Sequence, residues 1–181
     1  GMGARISGAG TSTVKIEGVR EFNDVEHTVI PDRIVAGTLM AAVAITGGNI
    51  VLNNVIIEHL KLVSSKLSET GCNITEYQNS IQIACNKKPK AVEVIKTLPY
   101  PGFATDMQAQ MMAVMTIAKG TSIFIETVFE SRYKHVTELM KMGANIKVDG
   151  RTAVIRGVKK LTGTEVKAGD LRGGAALVLA G

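Results

Sequence analysis

Three aspartates, Asp32, Asp106 and Asp170, each open an apolar run with helical spacing. A carboxylate in that place has two chemical uses. It can accept hydrogen bonds from the free backbone N–H groups of a first helical turn, as an N-cap. It can also take a proton from a substrate hydroxyl, provided it comes within about 3 Å of it in the bound complex. Recurrence at one position makes capping the simpler expectation, and one carboxylate can do both. The cations able to neutralise a phosphate or carboxylate beside them are Arg132 and Arg172. Arg132 begins a helix whose next turn carries Glu138, so a surface ion pair is the plain expectation there. Arg172 reads equally as an exposed first-turn residue or as a ligand contact. His27, His59 and His135 have no partners that would make a triad and read as structural or solvent-facing. Gly173-Gly174 is too short a motif to define a phosphate loop.

The elements that position these residues come from an internal repeat with a period of about 70 residues. Gly71-Cys72-Asn73-Ile74 matches Gly143-Ala144-Asn145-Ile146, and both match Gly3-Ala4-Arg5-Ile6. A turn and an alternating apolar run follow each: Ser80-Ile81-Gln82-Ile83, Ala153-Val154-Ile155 and Val14-Lys15-Ile16. Period-two alternation around a polar turn predicts a hairpin. Leu60, Val63 and Leu67, like Val136, Leu139 and Met140, fall at helical spacing, and the glycine after each set predicts a left-handed helix end. Earlier still lie strand-like runs at Asn49–Leu52 and Ser122–Ile125, the two helices opened by Asp32 and Asp106, and first strands at His27–Ile30 and Val94–Thr97. Met107, Met111, Met112 and Met115 form a stripe that reads as core filler. The unit is therefore βαβαββ. Two complete units are expected over residues 25–163, a third begins at 164–181 with Glu165-Val166-Lys167 and Asp170, and residues 3–24 form an additional hairpin.

Composition narrows the functional classes. The chain has 181 residues, 45% of them hydrophobic, enough for a sizeable core. No apolar run approaches the roughly 18 residues of a membrane span, so no membrane association is expected. The net charge of +5 is spread out, with one tight cluster at Lys87-Lys88-Pro89-Lys90, read as a solvated turn. Aromatic residues are 4% and Trp is absent, which leaves little to stack on bases and argues against nucleic acid. Cys72 and Cys85 have no metal-ligand spacing and read as buried small hydrophobes rather than a disulfide, which fits a reducing cytoplasm. No metal or cofactor is called for.

The βαβαββ unit resembles the building block of the enolpyruvyl transferase family, whose members assemble three units into an inside-out α/β barrel and face two barrels across an active site. Thr105-Asp106-Met107-Gln108-Ala109-Gln110, preceded by Pro101-Gly102-Phe103, is similar to a signature of the family's UDP-N-acetylglucosamine 1-carboxyvinyltransferase branch. So are Glu126-Thr127-Val128-Phe129-Glu130-Ser131-Arg132-Tyr133, Asp170-Leu171-Arg172 and Pro31-Asp32-Arg33-Ile34. The resemblance spans nearly the whole chain. It implies transfer of the enolpyruvyl group of phosphoenolpyruvate to the sugar 3-hydroxyl of UDP-N-acetylglucosamine, with release of phosphate, in peptidoglycan precursor synthesis. By the same resemblance Asp106 is the catalytic residue beside that hydroxyl. Val128 contacts the sugar nucleotide through its backbone, and Phe129 and Arg132 lie nearby. Asp170, Leu171 and Arg172 line the phosphoenolpyruvate side or the inter-domain connection.

The family's mobile-loop acid, and further basic residues that grip phosphoenolpyruvate, match no part of this sequence; Cys72 and Cys85 do not sit in the loop motif. The resemblance thus implies a piece of a two-barrel enzyme, inactive alone and lacking its second barrel as a partner. A lone hairpin at 3–24 is marginal in water. It is expected to pack beside the partial third unit, since unpaired edges otherwise open a route to a homodimer. The competing readings are a non-catalytic remnant or assembly module, and a piece of the shikimate-pathway enolpyruvyl transferase.

Overall fold

A computed structural model describes all 181 residues, which divide into two compact units, 1–30 and 31–181. In the first, β1 (Arg5–Ser7) and β2 (Lys15–Glu17) pair antiparallel with Ile6 opposite Ile16, as the alternation predicts. The turn between them is closed by Thr11, whose hydroxyl donates to the Gly8 carbonyl at 2.7 Å. Every side chain of both strands is exposed.

The second unit opens with α1 (Arg33–Thr46), β3 (Gly48–Asn53), α2 (Ile57–Glu69), β4 (Asn73–Glu76) and β5 (Ser80–Cys85). It continues with β6 (Val94–Lys96), a single 3-10 turn (Thr105–Met107), α3 (Gln108–Thr116), β7 (Thr121–Ile125), α4 (Lys134–Lys141), β8 (Asn145–Asp149) and β9 (Thr152–Arg156). It ends in α5 (Leu171–Ala180). The sheets are β3-β5-β4, all antiparallel, and β6-β7-β9-β8, in which β6 runs parallel to β7. A crossover helix between β6 and β7 is what a parallel pair requires.

Helices occupy the centre. The faces of α1, α3 and α5 pack on one another, and every residue of α3 is buried. A helix buried all round is mostly apolar, which explains the methionines: Met107, Met111, Met112 and Met115 fill this core, while Gln108, Gln110 and Thr116 are the polar residues buried with them. Phe124 reaches it from β7; full burial of such a side chain stabilises by about 1.5–3 kcal/mol. The predicted helix ends are present. Gly71 and Gly143 have φ of +94° and +92°, with their N–H groups returned to the Ser68 and Met140 carbonyls.

Three expectations need correction. His27–Ile30 and Glu165–Lys167 form no strands. A strand exists only as part of a ladder; the Lys167 N–H goes instead to the Glu138 carboxylate at 2.9 Å. Only the second repeat therefore shows all six elements as regular structure. Cys72 and Cys85, read as separate thiols, are disulfide-bonded with Cα atoms 4.6 Å apart. Hairpin register is the reason: Asn73 pairs with Ala84, which sets Cys72 opposite Cys85 at the end of the ladder. Lys88, finally, is not merely solvated. Its ammonium donates to the Val158 and Lys159 carbonyls at 2.9 and 3.1 Å, tying the two repeats together.

Candidate functional site

Asp106 lies in the 3-10 turn ahead of α3, and its carboxylate caps neither that turn nor the helix. It bridges two guanidiniums instead: Arg132 Nη2 donates to Oδ1 at 2.5 Å and Arg172 Nη2 to Oδ2 at 3.1 Å. The Arg132–Glu138 surface pair expected from spacing is absent; Glu138 pairs with Lys141. Partial burial pushes the Asp106 carboxyl up, but the hydrogen bonds and charges of Arg172 and Arg132 outweigh it and hold it below its ordinary value. The Asp106 side chain is 39% exposed, and those of Arg132 and Arg172 are 22% and 25% exposed. The carboxylate is thus ionised, reachable and aimed into open space.

That space is a cleft of about 550 Å³ lined by Asp106, Phe129, Arg132, Asp170, Leu171 and Arg172, together with Glu130, Ser131 and Lys134. Six of the seven residues singled out from the sequence share its wall. Arg132 also stands 4.8 Å over the Phe129 ring, a cation–π contact that fixes both at the rim. Asp170 fulfils the capping role, its Oδ1 accepting from the Gly173 N–H at 2.8 Å, and so presents Arg172 from the first turn of α5. Leu171 is exposed. Val128 is the exception. It does not line the cleft, and its N–H points inward to Glu126 Oε1 at 2.8 Å, which leaves its carbonyl for any outside contact.

Glu126 is the functional residue missed. It is 1% exposed and accepts four hydrogen bonds. Oε1 takes the Thr97 hydroxyl at 2.8 Å and the Val128 and Phe129 N–H groups at 2.8 and 3.1 Å. Oε2 takes the hydroxyl of Thr105, next to Asp106, at 2.8 Å. One buried carboxylate thus ties the turn that carries Asp106 to the loop that carries Phe129 and Arg132. The sequence held a signal for it. Ser122 and Phe124 share the buried face of β7, and period-two alternation carried one residue past the strand end puts Glu126 on the same side, so a charge there needs hydrogen-bond partners.

Behind the cleft, burial holds His135 down to about 4, with Asp170 acting the other way and Arg132 reinforcing the drop. Its Nε2 lies 3.3 Å from Met112 Sδ, a core contact. His135 is therefore structural, as expected. Tyr133 is pushed up to about 12 by burial and then by Glu126, and its hydroxyl donates to the Arg151 carbonyl at 3.0 Å.

The repeated βαβαββ unit places the chain in the enolpyruvyl transferase class of folds, with one carboxylate held between two guanidiniums in its cleft. The chain belongs to the EPSP synthase (3-phosphoshikimate 1-carboxyvinyltransferase) family, whose family model matches residues 1–181. It is 64% identical over 180 residues to UDP-N-acetylglucosamine 1-carboxyvinyltransferase 1 of Caldanaerobacter subterraneus subsp. tengcongensis, covering 99% of this chain and 43% of the relative. It is 54% identical to UDP-N-acetylglucosamine 1-carboxyvinyltransferase of Halothermothrix orenii with the same coverage. The chain thus spans less than half the length of the curated relatives it matches. Among solved structures, the enolpyruvyl transferase NikO from Streptomyces tendae superposes with a TM-score of 0.82 at 24% identity, over 99% of this chain and 43% of that one. EPSP synthase from Acinetobacter baumannii gives 0.67 at 17% identity over 86% of this chain and 38% of that one. These two likenesses concern the fold, and they agree with the repeated βαβαββ architecture of an enolpyruvyl transferase.

Proposed function

We propose that the chain supplies part of the sugar-nucleotide site of a UDP-N-acetylglucosamine 1-carboxyvinyltransferase, acting in peptidoglycan precursor synthesis with a second barrel as its partner. The observation that carries this reading is the Asp106 carboxylate, which caps no helix and faces the cleft between Arg132 and Arg172. The names of the relatives at 54–64% identity supply the substrate.

The chemistry follows from the ion pairs. With two guanidiniums on it, Asp106 is a weak base. An anionic ligand entering the cleft competes for the same donors, because Arg forks suit phosphate and carboxylate geometry. As each guanidinium turns to the ligand, the Asp106 carboxylate loses the partners that depress its proton affinity and becomes a better base. It then takes the proton of the sugar 3-hydroxyl while that oxygen bonds to the central carbon of the enolpyruvyl group. Phosphate leaves, and the proton exchanges on the neighbouring carbon involve residues of the partner barrel. Phe129, locked by Glu126 and Arg132, gives the cleft an apolar wall for the sugar ring.

The reading places the complete enzyme in the cytoplasm through its role in precursor synthesis; the Cys72–Cys85 disulfide withdraws the support that free thiols would have given. No helix here is long and apolar enough to cross a membrane. Because the activity needs both barrels, the purified chain alone is expected to release no phosphate from phosphoenolpyruvate and UDP-N-acetylglucosamine. Mixing it with the remaining portion of a close relative is expected to restore release, and Asp106→Asn to abolish that restoration. Turnover by the chain alone, or full restoration with Asp106→Asn, sinks the proposal. Restored turnover with shikimate 3-phosphate in place of the sugar nucleotide would assign the other branch of the family. No restoration with either acceptor favours the non-catalytic assembly reading.

A further inference from the structure

A second cavity lies between α1, α2 and the segment that precedes Asp106. It measures about 230 Å³ and shares no lining residue with the Asp106 cleft. Its floor is apolar, made by the buried side chains of Ile34, Val63 and Met107. One wall is the ring of Tyr100, met edge-on by His59 at 6.3 Å between centroids, with the Arg33 guanidinium 5.0 Å above its face. Two planar groups and an apolar floor make a slot suited to a flat ring.

The rim carries the charge. Arg33 and Lys61 are cations, and Glu58 is the one carboxylate among the lining residues. None of the three belongs to an ion pair in the molecule. The rim therefore holds one positive charge in excess, and Arg33 presents an unpaired planar fork beside an aromatic face. A guanidinium so placed binds a carboxylate in two parallel hydrogen bonds. An acyl phosphate or nucleotide carries more charge and bulk than this slot and its single excess charge accommodate.

We infer that this cavity is a binding site for a small aromatic monocarboxylate, its ring lying along Tyr100 over the apolar floor and its carboxylate held by Arg33. The site is independent of the function proposed above, since it uses none of the same residues.

The test is a titration of the isotope-labelled chain with 2-naphthoate, followed by amide chemical shifts. Saturable shifts are expected at Val63, Ala104 and Met107. 2-Naphthol has nearly the same shape without the charge and is expected to bind about tenfold more weakly, as is 2-naphthoate to Arg33→Gln. Leu62 lies at an exposed rim position on α2. Leu62→Trp is expected to plug the slot and remove the shifts, with the helical signal of the chain unchanged; Arg33→Gln carries the test by itself if that variant folds poorly. The inference is overturned by the absence of saturable shifts up to the solubility of the probe, by equal affinity for naphthol and naphthoate, or by shifts centred on Phe129, Arg132 and Arg172.

Discussion

The first and second repeats place an aspartate at the same point and put it to different use. Asp32 accepts from the Ile34 and Val35 N–H groups at 2.7 and 3.3 Å and closes the first turn of α1. Asp106 caps nothing and faces two arginines. The cause lies in a connector elsewhere in each unit. In the first repeat β3 passes to α2 through residues 54–56, too short to reach back. In the second, β7 passes to α4 through residues 126–133, and that longer loop brings Glu126, Phe129 and Arg132 to the start of α3. A repeat becomes a site when one connector lengthens and supplies a cation, a buried anchor and an aromatic. The carboxylate itself did not have to move in the sequence.

Removing the anchor should break the comparison most severely. Glu126→Ala leaves the Thr97 and Thr105 hydroxyls and the Val128 and Phe129 N–H groups without their shared acceptor. A loss of about 3–5 kcal/mol in a denaturant melt is expected, given the size of charged hydrogen bonds and of unsatisfied donors. Glu126→Gln should cost distinctly less, because the amide oxygen can still serve the backbone donors and the Thr105 hydroxyl can turn to accept from the amide nitrogen. A loss below about 1 kcal/mol for the alanine variant would mean that the loop does not depend on this residue.

Much of this was legible in the sequence, and the limits have physical reasons. The repeat, both left-handed glycines, the hairpins and the methionine core follow from local spacing, and local spacing survives folding. What failed depended on pairing between distant segments. The Cys72–Cys85 bond required the register of β4 on β5. The strands expected at 27–30 and 165–167 required ladder partners that composition does not reveal. Sequence spacing pairs Arg132 with Glu138, whereas the carboxylate that holds it, Asp106, comes from another element. Six cleft residues are marked in the sequence by the resemblance of their motifs to a family. Their convergence, and the inward turn of the Val128 N–H, needed coordinates. Glu126 lies within one of those motifs, and continuing the alternation of β7 marks it as buried.

A second difference between the repeats is testable by pH. Aligned on Leu67 and Leu139, the first repeat has Val63 where the second has His135, and both are buried. Burial depresses the folded-state value of His135 to about 4 from 6.5. The unfolded chain therefore takes up a proton first as pH falls. The stabilising preference for neutral His135 is complete above about pH 6.5 and is lost progressively down to about pH 4, a loss on the order of 3 kcal/mol. His135→Val, which writes the first repeat's residue into the second, should flatten the stability profile across that window. An unchanged profile would show that His135 opens to solvent before it protonates.

The smallest effect separates the two aspartates themselves. Asp32→Ala removes a cap and should cost about 1 kcal/mol at neutral pH, the usual value for such a change. Asp106→Ala removes ion pairs that solvent partly screens, and pairs of that kind contribute about 0–1 kcal/mol, so its cost should be the lower of the two. The acid limb distinguishes them further. Asp106 is held below its ordinary value, so its contribution is present above the unfolded carboxylate range and disappears as pH falls through the lowered folded value. Asp106→Asn should therefore lose less stability than the parent between neutral pH and pH 3, by a margin within a few tenths to about 1 kcal/mol. If Asp106→Ala instead destabilises the chain more than Asp32→Ala, the second aspartate holds the fold together as firmly as the first, and its freedom to act on a ligand is lost as an argument.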